Sequence, residues 1–314
     1  MKCVKYYLNT KIYKHLHIVI FLSVNHFLYI CKEENLKSMD KNKTIKIDIE
    51  SVLKSKAPNT YLPKFIINYL RRIVHEKDFN QLFEDNAEVK NLDFIEKSLQ
   101  MFDITTSVYG KENLPPAGGK YIFVSNHPLG GLDGLTIGLM IGREYDGKVK
   151  LFTNDLLMFV EPLSELFIPV NKVGNQAKTY AESLQNFFDS DDHLITFPAG
   201  VCSRKMNGKI VDLDWKKNFI SKAIQHKRDI VPIYFEGRNS SFFYNLANIR
   251  KMLGIKLNIE MFYLANEMFK QKGNNFTIKI GKPIPWQTFN KSKSQTYWAQ
   301  WVKDIVYKIG ISNK

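Results

Sequence analysis

The sequence predicts an α/β fold in which a mixed, largely parallel sheet is flanked by helices and follows a helical N-terminal segment. After about residue 104, short apolar runs of strand length alternate with segments that have the periodicity of helices. Between residues 61 and 99, by contrast, apolar side chains recur at helical spacing alone. Hydrophobic residues make up 44% of the 314 residues, which indicates a packed core.

The individual elements follow from these patterns in chain order. Strands are predicted over Thr105–Tyr109, Tyr121–Ser125, Val149–Thr153, Phe167–Val170, His193–Phe197, Ile230–Phe235 and Phe276–Ile280. Helices are predicted between them, over 132–143, 176–189, 215–227, 241–253 and 261–271. The segment Gly281–Pro285 ends the last strand, and a tryptophan-containing helix follows. We therefore expect a helical segment over residues 39–100 and an α/β domain over residues 101–314.

The first 38 residues are harder to interpret. Residues 16–31 are mostly apolar, but two histidines and one asparagine interrupt them, and a spanning helix needs about 20 apolar residues. A signal-peptide core is an alternative, although no small-x-small cleavage site follows it. Met39 begins a polar segment that leads into ordinary globular sequence. We therefore expect residues 1–38 to be a non-native extension, with a weak membrane anchor as the second interpretation.

The net charge of +14 favours an anionic partner. Residues 1–38 hold six lysines and two glutamates, so the remainder of the chain still carries +10. Lipid head groups, nucleic acid and an acidic carrier protein all fit such an excess, as does a charged surface that only aids solubility. The three cysteines form no CxxC pair and no zinc-spaced cluster, so neither a disulfide framework nor a structural metal is expected.

Chemistry is concentrated in one strand-to-helix loop. The predicted strand Tyr121–Ser125 leads into His127, and Asp133 falls in the first turn of the next helix. Active sites of α/β sheets gather at the carboxyl ends of strands. Asp133 can accept a hydrogen bond from the imidazole, which fixes the tautomer and makes the other ring nitrogen more basic. Gly130 and Gly131 allow a sharp reversal and a close approach of substrate to the backbone.

The motif Asn126-His127-Pro-x-Gly-x-x-Asp133-Gly resembles the acyltransferase superfamily of phospholipid biosynthesis, the lysophospholipid acyltransferases that are similar to 1-acylglycerol-3-phosphate acyltransferases. Most of that family has four residues between the histidine and the aspartate; the five found here match a branch associated with haemolysin-like proteins and amino-acid-lipid acyltransferases. The resemblance covers roughly residues 100–285. It implies a glycerol-3-phosphate acyltransferase-like fold, with His127 and Asp133 as the catalytic pair.

Three further segments resemble the family's other motifs: Phe167–Lys172, Phe197–Arg204 and Ile230–Ser240. In the third of the four motifs the family's glutamate, which helps to hold a glycerol-phosphate acceptor, is replaced by Ala199, so we expect an acceptor other than lysophosphatidate. Together the motifs imply a substrate-binding set that consists of Asn126, Gly130, Gly131, Lys172, Phe197, Pro198, Gly200, Ser203, Arg204, Pro232, Glu236 and Arg238.

The binding roles differ within that set. Ser203 and Arg204 are candidate anion-binding groups. Glu236 and Arg238 either pair with each other or line the site. Phe242 and Phe243, which follow the fourth motif, wall an acyl channel, dip into a bilayer or pack in the core. Cys202 has no adjacent activating base, so we do not expect a cysteine nucleophile.

The sequence as a whole predicts an enzyme that moves a fatty acyl group from a thioester carrier to a lysophospholipid or an acylated amino acid lipid. The donor is acyl carrier protein or coenzyme A, and no bound cofactor or metal is expected. We expect the protein to lie peripherally on the cytoplasmic face of the cell membrane, held by anionic lipids through basic and aromatic groups such as Phe65. A non-catalytic anionic-lipid-binding protein is the alternative, whereas no motif supports nucleic-acid binding.

Overall fold

The computed structural model describes residues 46–56, 63–153, 160–169, 184–255 and 258–312. Residues 1–38 and Lys172 lie outside these ranges, as do Val170 and residues 176–183 of two predicted elements. The chain divides into two compact units. One unit comprises the residues up to 87 together with 241–266, and the other comprises 88–240 together with 267–314.

The described part of the chain contains nine α-helices that are numbered here in chain order. They are α1 (Ile49–Lys56), α2 (Lys64–Val74), α3 (Glu76–Asp85), α4 (Asn91–Met101), α5 (Leu132–Glu144), α6 (Asn218–His226), α7 (Ser241–Met252), α8 (Leu264–Phe269) and α9 (Gln295–Ile311). Residues 184–189 are also helical. Short 3-10 turns occupy Lys111–Asn113, Glu161–Leu166, Ile259–Tyr263 and Trp286–Thr288.

The strands form one large sheet and one hairpin in the described residues. They are β1 (Thr105–Tyr109), β2 (Tyr121–Ser125), β3 (Val149–Thr153), β4 (Phe167–Pro169), β5 (His193–Thr196), β6 (Arg204–Met206), β7 (Lys209–Val211), β8 (Asp229–Glu236) and β9 (Asn275–Ile280). The sheet has seven strands in the order β1-β9-β8-β2-β5-β3-β4. Strands β8, β2, β5, β3 and β4 are mutually parallel, and β9 with β1 runs antiparallel to them.

The predicted fold class is confirmed: the molecule is an α/β protein with a largely parallel, mixed sheet. All seven predicted strands are present, and β1, β2 and β3 have the predicted bounds. The hairpin of β6 and β7 was not predicted. Its turn is Asn207-Gly208, with φ angles of 49° and 78°, the dipeptide that most favours a two-residue hairpin loop.

Helices cover both faces of the sheet. Ile122 and Val124 of β2 point to one face, where they join a buried apolar cluster with residues of α6 and α9 such as Ile220 and Val302. The alternation of a strand directs Phe123 to the opposite face. There α5 packs on β3, and at Gly142 a methyl group would collide with Leu92 of α4. The two faces therefore bury β2 completely, and its side chains are at most 9% exposed.

The unit that contains α1, α2, α3 and α7 has helices and short turns, and no strand lies in its described residues. Its α2 and α3 meet at His75, which adopts a left-handed conformation with a φ of 55°. The hydroxyls of Tyr69 and Tyr263 lie 2.6 Å apart, and Arg250 forms an ion pair of 2.9 Å with the buried Glu260. No helix in the described ranges has both the length and the apolar character that crossing a membrane requires.

Candidate active site

The loop between β2 and α5 brings His127 and Asp133 together. His127 Nδ1 lies 3.0 Å from Asp133 Oδ2, and the Asp133 side chain is fully buried. The same carboxylate accepts the backbone N–H groups of Leu129 and Gly130 on Oδ2, at 3.0 and 3.3 Å, and that of Gly134 on Oδ1, at 2.9 Å. Leu129 and Gly130 lie in the loop before α5 and Gly134 in its first turn, where negative charge is stabilised. The carboxylate is therefore fixed before any substrate arrives.

The electrostatics of the pair favour an ionised carboxylate. Burial alone would raise the pKa of Asp133, but the charge and hydrogen bond of His127 and the backbone donors lower it below its ordinary value. Burial also acts to lower the pKa of His127, yet the charge and hydrogen bond of Asp133, together with the charge of Asp212, raise it above the ordinary value. An ionised carboxylate can only accept a hydrogen bond, so Nδ1 carries the proton and Nε2 is left as an acceptor.

The imidazole is also held by an aromatic neighbour. The ring of Phe197, just beyond the end of β5, stacks on the ring of His127 with centroids 4.2 Å apart and an interplanar angle of 27°. Because β2 and β5 are adjacent parallel strands, their carboxyl ends bring these two residues to the same edge of the sheet. Phe197 also packs over the first turn of α5, near Gly134. The side chain of His127 keeps 17% of its surface exposed.

A second buried carboxylate, Asp212, lies behind the loop and was not predicted. Its Oδ1 accepts the backbone N–H of His127 at 3.2 Å and the Ser203 hydroxyl at 2.6 Å, and its Oδ2 accepts the indole N–H of Trp215 at 2.9 Å. No sequence motif marks Asp212, because its partners come from separate segments. Only the apolar hairpin strand before it and the tryptophan after it hint at burial.

Ser203, predicted as an anion-binding group, has both of its donors engaged inside the protein. Its backbone N–H donates to the carbonyl of His127 at 2.8 Å, and its hydroxyl donates to Asp212. The residue is only 1% exposed. The geometry therefore gives Ser203 a part in holding the histidine loop, and leaves it no free donor to offer an anion.

Asn126 and the glycines connect the loop to its surroundings. The Asn126 amide pairs with the backbone of Phe235 at the end of β8, accepting from its N–H at 2.8 Å and donating to its carbonyl at 2.9 Å. Gly130 has a φ of 79°, which a side chain would strain. A methyl group at Gly131 would meet the Met268 sulfur at 3.2 Å. The sequence predicts that substrate approaches the backbone closely at these glycines. In the structure, the side chain of Met268 makes the close approach to Gly131.

The third motif forms a tight turn that buries its alanine. Gly200, with a φ of 70°, donates its N–H to the Phe197 carbonyl at 2.9 Å. Pro198 is buried, and Ala199 is 5% exposed within the apolar cluster of the core. Burial raises the pKa of the neighbouring Cys202 to about 12, so its thiol stays protonated at neutral pH. That geometry agrees with the expectation that Cys202 is not a nucleophile.

The remaining predicted residues occupy different environments. Arg204, at the start of β6, donates to the Cys202 carbonyl at 2.8 Å, and its charge acts to lower the pKa of His127. Pro232 is buried within β8, and its carbonyl accepts the Gly281 N–H at 2.8 Å. Glu236 and Arg238 are exposed, and no ion pair joins them. In the described ranges, no group of three or more His, Cys, Asp or Glu side chains is arranged to hold a metal ion.

The chain is similar in sequence to one protein family and to two individual proteins. The sequence model of a family described as acyltransferase matches residues 51–312. A protein of Bacteroides thetaiotaomicron named lyso-glycine lipid O-acyltransferase is 54% identical over 265 residues, which cover 84% of this chain and 97% of that protein. A protein of Phocaeicola vulgatus with the same name is 50% identical over 279 residues, covering 88% and 100%.

A solved structure also resembles the chain. It is the 1-acyl-sn-glycerophosphate (LPA) acyltransferase PlsC from Thermotoga maritima, which is 16% identical in sequence and gives a TM-score of 0.39. The alignment covers 80% of this chain and 94% of that chain.

Proposed function

The chain belongs to the acyltransferase family, and we propose that it transfers a fatty acyl group to the hydroxyl of a lyso-glycine lipid, with His127 as general base. Family membership confirms the resemblance that the sequence motifs indicated, and the protein is an O-acyltransferase. The proposal for the base depends on one observation, which is the 3.0 Å contact between His127 Nδ1 and the buried Asp133.

The proposed reaction uses the free nitrogen of that histidine. His127 Nε2 accepts the proton of the acceptor hydroxyl while the oxygen attacks the carbonyl carbon of an acyl thioester. The resulting tetrahedral intermediate collapses, the carbon–sulfur bond breaks, and the imidazolium returns its proton to the leaving thiolate. Asp133 stabilises the imidazolium between these two steps and keeps its ring oriented. General base catalysis of this kind contributes about 10²–10⁴-fold, and positioning of the two substrates supplies the rest.

The acceptor is proposed from the relatives and from Ala199. Both relatives are named for a lyso-glycine lipid, and at 54% and 50% identity they support the same class of acceptor here. The family's third-motif glutamate is replaced by an alanine that is buried in the core, so this position offers no carboxylate to a glycerol hydroxyl. An acylated glycine instead presents a carboxylate, which a nearby cation such as Arg204 can attract.

The donor is proposed to be a thioester of acyl carrier protein or coenzyme A. Both donors are anionic, and residues 201–230 carry eight Lys or Arg against three Asp. Lys205 and Lys209 of the hairpin and Lys216 are exposed, which supports approach of an acidic donor from that side. Competition between the two thioesters at equal concentration would distinguish them.

Peripheral attachment to the cytoplasmic face of the membrane is also proposed. In the helical unit, Phe65 is 73% exposed and Tyr69 40% exposed on α2, beside the exposed Arg72. At the end of α7, Met252 is 78% exposed. Phe243, one of the side chains considered for the bilayer, is fully buried, so it packs in the core instead. Extraction by alkaline carbonate supports peripheral attachment, and retention of nearly all the protein contradicts it.

The experiment that tests the proposed function compares wild-type enzyme with His127→Ala on two acceptors. We expect wild-type kcat/KM to be higher for an N-acyl glycine that bears a free hydroxyl than for lysophosphatidate, with the same acyl thioester. We expect His127→Ala to lower kcat/KM by about 10²–10⁴-fold on either acceptor. A higher wild-type kcat/KM for lysophosphatidate contradicts the proposed acceptor, and a folded His127→Ala enzyme with wild-type turnover contradicts the proposed base.

A further inference from the structure

We propose that Asp212 is a positioning residue for the acyl transfer, a second carboxylate that clamps the main chain of His127 from behind. This inference rests on the proposed role of His127 as general base. The predicted motifs assign a function to the histidine and to Asp133, and they assign none to Asp212. The argument depends on where Asp212 touches the histidine and on what else holds Asp212 in place.

The main chain of His127 is held on both sides by the segment that carries the hairpin. Its N–H donates to Asp212 Oδ1 at 3.2 Å, and its carbonyl accepts the Ser203 N–H at 2.8 Å. The Ser203 hydroxyl donates to the same Asp212 oxygen at 2.6 Å, so one carboxylate oxygen joins the two contacts. Asp133 holds the ring, while Asp212 and Ser203 hold the backbone from which the ring projects.

Asp212 is itself fixed by all of its polar groups. Its Oδ2 accepts the Trp215 indole N–H at 2.9 Å, its backbone N–H donates to the Tyr307 hydroxyl at 2.7 Å, and its carbonyl accepts Lys303 Nζ at 2.9 Å. The residue is fully buried. Tyr307 and Lys303 belong to α9, so the backbone of Asp212 is held by that helix while its carboxylate holds the histidine loop.

Burial of a carboxylate in this position has an electrostatic consequence for His127. A structural hydrogen-bond acceptor need not be charged, whereas a buried charge near an imidazole stabilises its protonated form. Three charged groups act on the His127 ring: Asp133 from α5 and Asp212 from the loop after β7 raise its pKa, and Arg204 from β6 lowers it. Removing the charge of Asp212 is therefore expected to lower the pKa of His127, provided that the loop remains in place.

The test uses a variant pair that isolates the charge. Asp212→Asn alone would direct an amide N–H₂ at the indole N–H of Trp215, so it is combined with Trp215→Phe and compared with Trp215→Phe alone. Asp214→Asn is the matched control, because Asp214 is exposed and its substitution removes the same charge two residues away. For each full-length protein, kcat/KM is measured against pH, and the His127 ring is titrated by NMR with labelled histidine, its signal assigned by loss in His127→Ala.

The proposal makes a distinct expectation for each protein. In the double variant, the acidic limb of kcat/KM and the titration of His127 both move to lower pH relative to Trp215→Phe. Its plateau kcat/KM falls by up to about tenfold, because a neutral amide oxygen accepts the His127 N–H and the Ser203 hydroxyl more weakly than a carboxylate does. Asp214→Asn retains the wild-type profile. If the double variant has the same limb, titration and plateau as Trp215→Phe and only unfolds more easily, Asp212 is a structural residue and the proposal is wrong.

Two further results distinguish a failure of this inference from a failure of the proposed function. If the double variant does not fold, Asp212→Glu replaces it: a longer carboxylate retains the charge but displaces the oxygen, so the plateau falls while the limb stays near the wild-type pH. Wild-type kcat/KM in Asp212→Glu overturns the proposal. If His127→Ala keeps its activity, the proposed function fails, yet the NMR titration still measures whether Asp212 acts on His127. If His127→Ala is inactive and Asp212 shifts nothing, only this inference fails.

Discussion

Two histidines lie at opposite ends of the same pair of strands and have opposite electrostatics. His127 follows the carboxyl end of β2, and His193 begins the neighbouring strand β5, at the amino end of the sheet. Burial acts to lower the pKa of His127, but the charge and hydrogen bond of Asp133, with the charge of Asp212, raise it. The pKa of His193 is lowered to about 4, by burial first and then by the charge of Arg228. Burial alone therefore does not make a histidine a candidate base; its charged partner decides.

The surroundings of His193 are those of a packing residue. Its ring lies among aromatic neighbours, with centroid distances of 4.3 Å to Tyr145 and 5.3 Å to Tyr121, and it is only 2% exposed. Nearby, Arg228 is fully buried and donates to the carbonyls of Phe187, Phe188, Ser190 and Asp192. It thereby caps the end of the helical residues 184–189. At the amino end of the sheet the histidine packs among aromatic rings, whereas at the carboxyl end the histidine is paired with a buried carboxylate.

The largest expected effect comes from Asp133→Asn, at the carboxyl end. An amide would direct N–H groups at His127 or at the backbone donors, so the imidazole would adopt the wrong tautomer. We expect kcat to fall by about 10²–10⁴-fold. Steady-state kinetics measures this, with circular dichroism to confirm the fold. A kcat within a few-fold of wild type would show that the partner of His127 does not matter for turnover. It would contradict the functional contrast between His127 and His193.

Arg228→Met sharpens the comparison from the amino end. The substitution keeps an apolar stem but leaves four carbonyls without their donor, so we expect the free energy of unfolding to fall by about 4 kcal/mol. Urea unfolding measures this loss. Because Arg228 lies far along the strands from His127, the kcat of the folded fraction should remain within about threefold of wild type. A large loss of kcat with unchanged stability would contradict a structural role.

These contrasts show what the sequence could and could not predict. The strands β1 to β3 and the His127–Asp133 loop were predicted, because local apolar patterns and a dense motif determine them. Asp212 and Arg228 were not, because their partners come from distant segments and no local pattern records them. Ser203 was predicted as an anion-binding group, and the contact that its hydroxyl makes with Asp212 is another that no local pattern records.

The smallest expected effect is the loss of folding stability at acid pH that His193 causes, which His193→Phe should remove. A histidine with a folded pKa of about 4 binds its proton more readily in the unfolded state, so stability is full above the unfolded pKa of about 6.5 and is lost as pH falls. Between pH 7 and pH 5, His193 therefore lowers the free energy of unfolding of the wild-type protein by about 2 kcal/mol. In His193→Phe that component is absent, while kcat at pH 8 is retained. Urea unfolding at both pH values measures it; an equal loss in the variant contradicts the account.

The difference between the two histidines can be measured most directly in the wild-type enzyme. NMR titration of labelled histidines gives the pKa of His127 and of His193 in the same sample, and kcat/KM is measured over the same pH range. We predict that His127 titrates above the ordinary value, that His193 titrates at about 4, and that the acidic limb of kcat/KM coincides with the His127 titration. A limb that is independent of His127, or a His127 that titrates below the ordinary value, would contradict the assignment of His127 as the general base.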